Sequence, residues 1–341
     1  MSWSQIVTFS NGYVLSGNEF GDGLSHALVS AFTYDQVPIW QYSGSEQDLA
    51  AQIAINDVGG RLFVNEARGL TALDLTTGAL LWHIDETLNS MAVNDSDGIF
   101  EAAVDNGIVE NQGQVTPTYT MVRKYSQLDG HPVWARAGEK YNCSTCRVTA
   151  GVSALAVSGN LVVEGYRLWY DGAGMENQSV GLVQAFTDDG ASGTPLWLTG
   201  YDADPYDDAG LWCLVGSSSG QTLMLVGHSL YDPYVTANWV DRTGQWLDEM
   251  GPVPDQFVSA CVLAPDGAPV LMGLFGDVDP QSAPSMDDDV VDLVMLDPIT
   301  LQAKWWRPRV ETAPAVQTGA VDSLGRLWII VDNEVQMVDP R

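Results

Sequence analysis

The chain has 341 residues, 45% of them hydrophobic, with a net charge of −30 and a pI near 4.1. So acidic a surface repels nucleic acid and anionic lipid and favours a soluble monomer. No stretch approaches the ~18 uncharged apolar residues of a membrane span, so no membrane insertion is expected.

The N-terminal segment, MSWSQIVTFSNG, has neither a basic start nor a long apolar core, so no signal peptide is visible. Hairpin turns then recur along the chain: Ser10-Asn11-Gly12, Val58-Gly59-Gly60, Ser96-Asp97-Gly98, Ser158-Gly159-Asn160, Ser218-Ser219-Gly220, Pro265-Asp266-Gly267 and Ser323-Leu324-Gly325. Apolar runs flank them, such as Ile53–Ile55 with Leu62–Val64, or Leu155–Val157 with Leu161–Val163. Each reads as two strands joined by a turn whose glycine or polar residue accepts a tight backbone.

A second hairpin follows each of the first. Its fullest copy runs from Ala72 to Trp82 and reads A-x-D-x-x-T-G-x-x-x-W. Alternating residues Leu70 to Leu75 form a strand, Thr77-Gly78 turns the chain, and a second strand carries the Trp. The spacing returns at Lys124–Trp134 and Met295–Trp305, and more loosely before Trp40, Trp197 and Trp246. Successive Trp residues lie 42, 52, 63, 49 and 59 positions apart, as loop insertions within equivalent units would make them. Two hairpins per unit make a four-stranded antiparallel sheet. Seven such units predict an all-β, seven-bladed β-propeller filling residues 1–341 as one domain. The last unit supplies three strands, near Ala315–Val321, Arg326–Val331 and Glu334–Asp339. Its outer strand is expected from Met1–Ser4, so that the ring closes by pairing the N- and C-terminal strands. The blade anchors are then Trp3, Trp40, Trp82, Trp134, Trp197, Trp246 and Trp305.

The Ala72–Trp82 unit resembles the tryptophan-docking motif of the PQQ-like propeller repeat. That superfamily holds quinoprotein alcohol dehydrogenases and non-enzymatic outer-membrane assembly scaffolds. The resemblance covers most of the chain as an array, although only the Trp82 copy is complete, and it implies fold rather than function. The dehydrogenases have eight blades and an adjacent Cys-Cys pair beside the cofactor. This chain counts seven and has no Cys-Cys dipeptide, so PQQ is not expected.

Several constellations could carry chemistry. Asn94 to Glu101 partly matches a calcium loop, with Asp95, Asp97 and Glu101 as ligands. The same residues also read as an ordinary hairpin turn, and Val93 stands where the first ligand belongs. A second calcium candidate gathers Asp277, Asp279, Asp287 and Asp289; like Asp202 to Asp208, it also reads as a hydrated loop. Cys143 and Cys146 are expected to form a local disulfide, while Cys213 and Cys261, at equivalent places in consecutive units, read as buried thiols. His83 and His228 could face a central funnel, yet a lone His on a strand is more often structural, and no G-x-S-x-G elbow appears. The aromatic stretches Tyr166–Tyr170 and Tyr201–Tyr206 could stack on sugars or peptides, or pack locally.

The function expected is a non-enzymatic binding or scaffold propeller, extracellular, periplasmic or on the cell surface, taking a protein, glycan or other polar ligand on one face. The alternative is an enzyme using the central funnel, a carbohydrate-active lyase or hydrolase or a quinoprotein-like oxidoreductase. An ordered set of His, Tyr, Arg and carboxylates at the channel mouth would favour the enzyme; a channel of small and apolar residues would favour the scaffold.

Overall fold

The computed structural model describes residues 2–21, 24–46, 50–105, 118–141, 147–171, 178–200, 210–217, 220–228, 234–275, 291–308 and 316–340. Within them the chain is all β, with 26 antiparallel strands in seven blades. The first is β1 (Ser2–Phe9), β2 (Gly12–Gly21), β3 (Leu24–Thr33) and β4 (Pro38–Glu46); the second is β5 (Ala50–Asn56), β6 (Arg61–Glu66), β7 (Gly69–Asp74) and β8 (Leu80–Ile84). The third is β9 (Ala92–Val93), β10 (Gly98–Asp105), β11 (Thr118–Ser126) and β12 (Pro132–Tyr141); the fourth is β13 (Arg147–Ser158), β14 (Leu161–Asp171), β15 (Gln178–Asp188) and β16 (Gly193–Gly200). The fifth opens with β17 (Gly210–Gly216), β18 (Thr222–His228) and β19 (Tyr234–Val240). The long strand β20 (Trp246–Leu263) pairs first with β19 and then with β21 (Pro269–Phe275), so it ends the fifth blade and begins the sixth. The sixth finishes with β22 (Val291–Leu296) and β23 (Ala303–Pro308). The seventh is β24 (Thr318–Val321), β25 (Leu327–Val331) and β26 (Glu334–Val338). All seven predicted first turns join the first two strands of a blade.

The first strand of each blade packs beside its counterparts, and the series closes where β24 meets β1. Side chains tie neighbouring inner strands together. The Gln5 amide donates to the Ile53 carbonyl and accepts from the Ile53 N–H, Gln52 Nε2 donates to Met91 O, and Thr8 Oγ1 donates to Val321 O. Apolar clusters fill the wedges between sheets; Ile6, Tyr13 and Leu15 of the first blade meet Ala320, Trp328 and Ile330 of the seventh.

The repeat motif has a local physical cause. Asp74 Oδ1 accepts from Thr76 N, Thr77 N and Thr77 Oγ1, and Gly78 takes φ +70°, a conformation open to a residue without Cβ. Asp241 with Thr243, and Asp297 with Thr300, repeat the bonds. The Trp of the preceding blade lies on this turn. Trp40 Nε1 donates to Leu75 O, Trp82 to Gln127 O, Trp134 to Asp188 Oδ1 and Trp197 to Arg242 O. Each ring is pressed against a glycine: a Cβ added at Gly78, Gly130, Gly193 or Gly244 would lie 2.6, 2.9, 2.7 or 2.8 Å from it.

Two anchors depart from expectation. Trp246 is 37% exposed and donates to Thr199 Oγ1 of the blade behind it. The turn ahead of it carries Leu301 at φ +54° where the turns that seat Trp40, Trp82, Trp134 and Trp197 have glycine, and the Leu301 side chain is fully buried in the cluster with Trp239 and Leu296. Trp3 belongs to β1, opposite Gly17 of the first blade, and does not complete the seventh. The expected pairing of chain ends is therefore replaced by face-to-face packing, with one bond from Trp3 N–H to Asn333 Oδ1. An outer strand lies three strand spacings, roughly 14 Å, from an inner one. The Ser4-Gln5 step between Trp3 and Ile6 cannot cover that, so the segment runs on as one strand.

Candidate functional site

Because the strands alternate in direction, the connections fall at two opposite ends. At one end lie the turns between first and second and between third and fourth strands, none longer than the six residues 297–302. Every connection of seven residues or more lies at the other end: 85–91, 106–117, 201–209, 276–290 and 309–317. Of these, 106–117, 201–209 and 276–290 hold Glu110, four aspartates and five aspartates, with no lysine or arginine. The channel between the ends is lined by the inner strands. Taking for β20 the part that pairs with β21 (Asp255–Leu263), their sequences contain no His, Lys or Glu, one Arg (Arg147) and one Asp (Asp255), and are otherwise small, apolar or uncharged polar residues.

Ionisable groups are instead buried between blades, where second strands carry glutamates. Glu66, Glu101 and Glu164 are each at most 2% exposed. Glu101 is fully engaged: Asn89 N and Nδ2 donate to Oε1, and Arg123 Nη1 and the Tyr125 hydroxyl donate to Oε2. Glu66 Oε2 accepts from Thr71 Oγ1, which also bonds His83 Nδ1 at 2.9 Å. Glu164 stands opposite Gln184, and a Cβ on Gly138 of the preceding blade would lie 2.2 Å from Thr120 Oγ1, 2.5 Å from Gln184 Oε1 and 3.4 Å from Glu164 Oε1. Burial pushes the Glu164 carboxyl up to about 8, against a smaller opposing effect of Thr120. It is therefore a neutral acid at pH 7, with a proton to donate inside the cluster. The Tyr141 and Tyr166 hydroxyls bond each other beside it, and burial raises Tyr166 far above its usual range. The sequence reading missed Glu66 and Glu164; the one signal available was a carboxylate ending an apolar run, as in Leu161-Val162-Val163-Glu164.

A second buried charge locks the third blade to the fourth. Lys124 is 0% exposed, with Nζ 2.7 Å from Asp188 Oδ2 and 2.9 Å from Asp97 Oδ1. These bonds outweigh the lowering that burial alone would cause, and its pKa is raised. Asp188 also accepts from Trp134 Nε1 and Gly190 N, so ion pair and Trp anchor share one carboxylate.

The predicted sites can now be placed. Asp97 is turned to Lys124 and Glu101 to Arg123 and Tyr125, while the turn itself is built on Asn94 Oδ1, which accepts from the N–H groups of Ser96, Asp97 and Gly98. The structure does not bring Asp95, Asp97 and Glu101 together, and among the described residues no three His, Cys, Asp or Glu side chains converge on a metal position. Asp277, Asp279, Asp287, Asp289, the 201–206 segment and Cys143 with Cys146 lie outside the described residues. Cys213 and Cys261, read as thiols, form a disulfide between inner strands β17 and β20, Cα atoms 6.1 Å apart. Their equivalent positions on adjacent inner strands place them within reach. His83 lies on outer strand β8, away from the channel. His228 ends β18; Trp169 is 42% exposed with the Arg167 guanidinium 5.8 Å from its ring centre.

No family model and no curated protein matches the sequence. Solved structures do match the fold. The WD40 β-propeller domain of Doa1 superposes with a TM-score of 0.54 at 12% identity, covering 100% of this chain and 93% of that one. Hsv2 of Kluyveromyces lactis gives 0.54 at 8% identity, covering 98% and 92%. BamB of Moraxella catarrhalis gives 0.49 at 17% identity, covering 98% and 86%. The chain has a β-propeller fold. Identities this low speak to fold alone.

Proposed function

We propose that the protein is a non-enzymatic binding scaffold that takes a protein, glycan or other polar ligand on the face formed by its long connections. The observation that carries this reading is the division of the two ends: one made of turns of six residues or fewer, the other holding every long connection. Blades packed through Trp anchors, an ion pair and a disulfide give a rigid frame, and variable connections on a rigid frame are where recognition usually sits. A channel poor in ionisable residues supports the scaffold over an enzyme in the funnel, and the reading includes no PQQ. The Cys213–Cys261 bridge supports an oxidising compartment, extracellular, periplasmic or at the cell surface. Calcium stabilisation falls to the 276–290 connection, since Asp97 and Glu101 serve other partners. Its check is the melting temperature in millimolar calcium against excess EDTA, expected to be higher with calcium.

The main test replaces 201–209 and 276–290 by short Gly-Ser linkers and screens both proteins on glycan and peptide arrays. In excess EDTA the shortened protein should keep the melting temperature of the full chain, and it should lose the ligands that the full chain binds. Binding that survives the replacement, or substrate turnover by the full chain, would refute the reading.

A further inference from the structure

The seventh blade differs from the rest on its outer side. Its sheet ends on β26, with no fourth strand among the described residues, so one row of backbone donors and acceptors faces outward. Trp305 of the sixth blade points toward it. This residue pairs with Met295 as Trp40, Trp82 and Trp197 pair with Ala31, Ala72 and Ala185, and it packs on the cluster containing Leu327, Ile329 and Val338. In four other blades the equivalent indole N–H donates to the turn ahead and the ring lies on a glycine. Trp305 Nε1 donates to nothing among the described residues. In place of the turn is a cavity of about 500 Å³, lined by Trp305, Met295, Lys304, Asp266, Leu324 and Pro340 among others.

We propose that this open edge is a docking site for an extended, cationic segment of another protein, which adds to β26 as a fourth strand and seats a glycine-containing turn on Trp305. The frame shows what fits: a backbone carbonyl for the Trp305 N–H, a Cα without side chain against the ring, and a strand antiparallel to β26. Charge selects the source. Asp332, Glu334 and Asp339 bracket the edge, and two copies carrying −30 each repel one another, so a basic partner is favoured over a second copy of this chain. The Trp305 cavity lies on the outer rim by the short turns, and the edge of β26 runs from there along the outside of the ring.

The test uses a fluorescein-labelled peptide copying residues 74–84, the complete turn and strand of the second blade, extended by three lysines. Fluorescence anisotropy should show saturable binding that weakens with salt. Trp305→Ala should weaken it by about tenfold or more, as for an aromatic anchor. Leu324→Trp, which fills the cavity from its exposed rim and leaves the core intact, should do the same with an unchanged melting temperature. Two N-methylated peptides, blocked at alternate strand residues, should part: one set loses binding and the other keeps it. Absence of saturable binding, or equal binding of both methylated sets, would overturn the proposal. So would a sedimentation-equilibrium dimer abolished by Trp305→Ala, which would make the occupant a second copy. Protection from hydrogen exchange, in the unliganded protein, of the β26 amides that face away from β25 would likewise overturn it, because the edge would be filled from within the chain.

Discussion

Substituting Lys124 by Met separates charge from packing at the junction of the third and fourth blades. The methionine keeps the apolar stem, 0% exposed, and removes the ammonium that lies 2.7 Å from Asp188. Asp97, the other partner, is 63% exposed and returns to water at little cost. Asp188 cannot: its side chain is 5% exposed and is held by Trp134 Nε1 and Gly190 N. Breaking a buried pair from one side costs about 3–5 kcal/mol, chiefly from the carboxylate left without compensation. The decisive variant is therefore Lys124→Met with Asp188→Asn, in which the Asn Oδ1 still accepts from Trp134 and no buried charge remains. We expect the single variant to lose most of that range in urea unfolding and the double variant to recover more than half. Since both probes of the transition, tryptophan fluorescence and far-ultraviolet dichroism, report on the whole ring, the midpoints should move together. A single variant within about 1 kcal/mol of the parent, or two losses that simply add, would show that the pair is not the lock described here.

Three further outcomes follow from the same geometry. Reducing Cys213–Cys261, 48 positions apart, should cost about 4 kcal/mol by loop-closure entropy; equal urea midpoints with and without reductant would refute this. Glu164 has a folded pKa raised to about 8, so the folded state holds its proton while the unfolded chain releases it, and stability falls with pH from the usual carboxylate range up to about 8. Glu164→Gln should remove that decline, gaining on the parent by about 1.4 kcal/mol per pH unit at most within the window, and parallel stability–pH curves would contradict it. Gly78→Ala and Gly60→Ala share a positive φ, +70° and +63°, but only the first Cβ meets a neighbour, 2.6 Å from the Trp40 ring. Both should lose roughly 1–2 kcal/mol for the backbone, and Gly78→Ala distinctly more by thermal unfolding.

What the sequence reveals and what it hides divide along physical lines. The turn chemistry is written in neighbouring residues: Asp74, Thr77 and Gly78 make their bonds within five positions, so the repeat and the blade number could be read directly. The exceptions are local too. Leu301 in a glycine position announces that Trp246 has no seat, which the loose match before Trp246 does not reveal. Contacts between blades are a different matter. Glu101 looks like a calcium ligand until Arg123 and Tyr125 are brought beside it, and nothing near Glu164 in sequence foretells Gly138 and Thr120 from the blade behind. Cys213 and Cys261 read as buried thiols although their equivalent positions are visible in the sequence; that equivalence is the clue to the bridge, because in a ring equivalence means adjacency. The same reasoning explains why the ligand stays hidden while the fold does not. Blades must satisfy one geometry seven times and so repeat their residues, whereas a long connection is held to no such repeated geometry. The edge at β26, unpaired among the described residues, stands between these cases: the shape that would fit it is recorded four times over in the turns that seat Trp40, Trp82, Trp134 and Trp197.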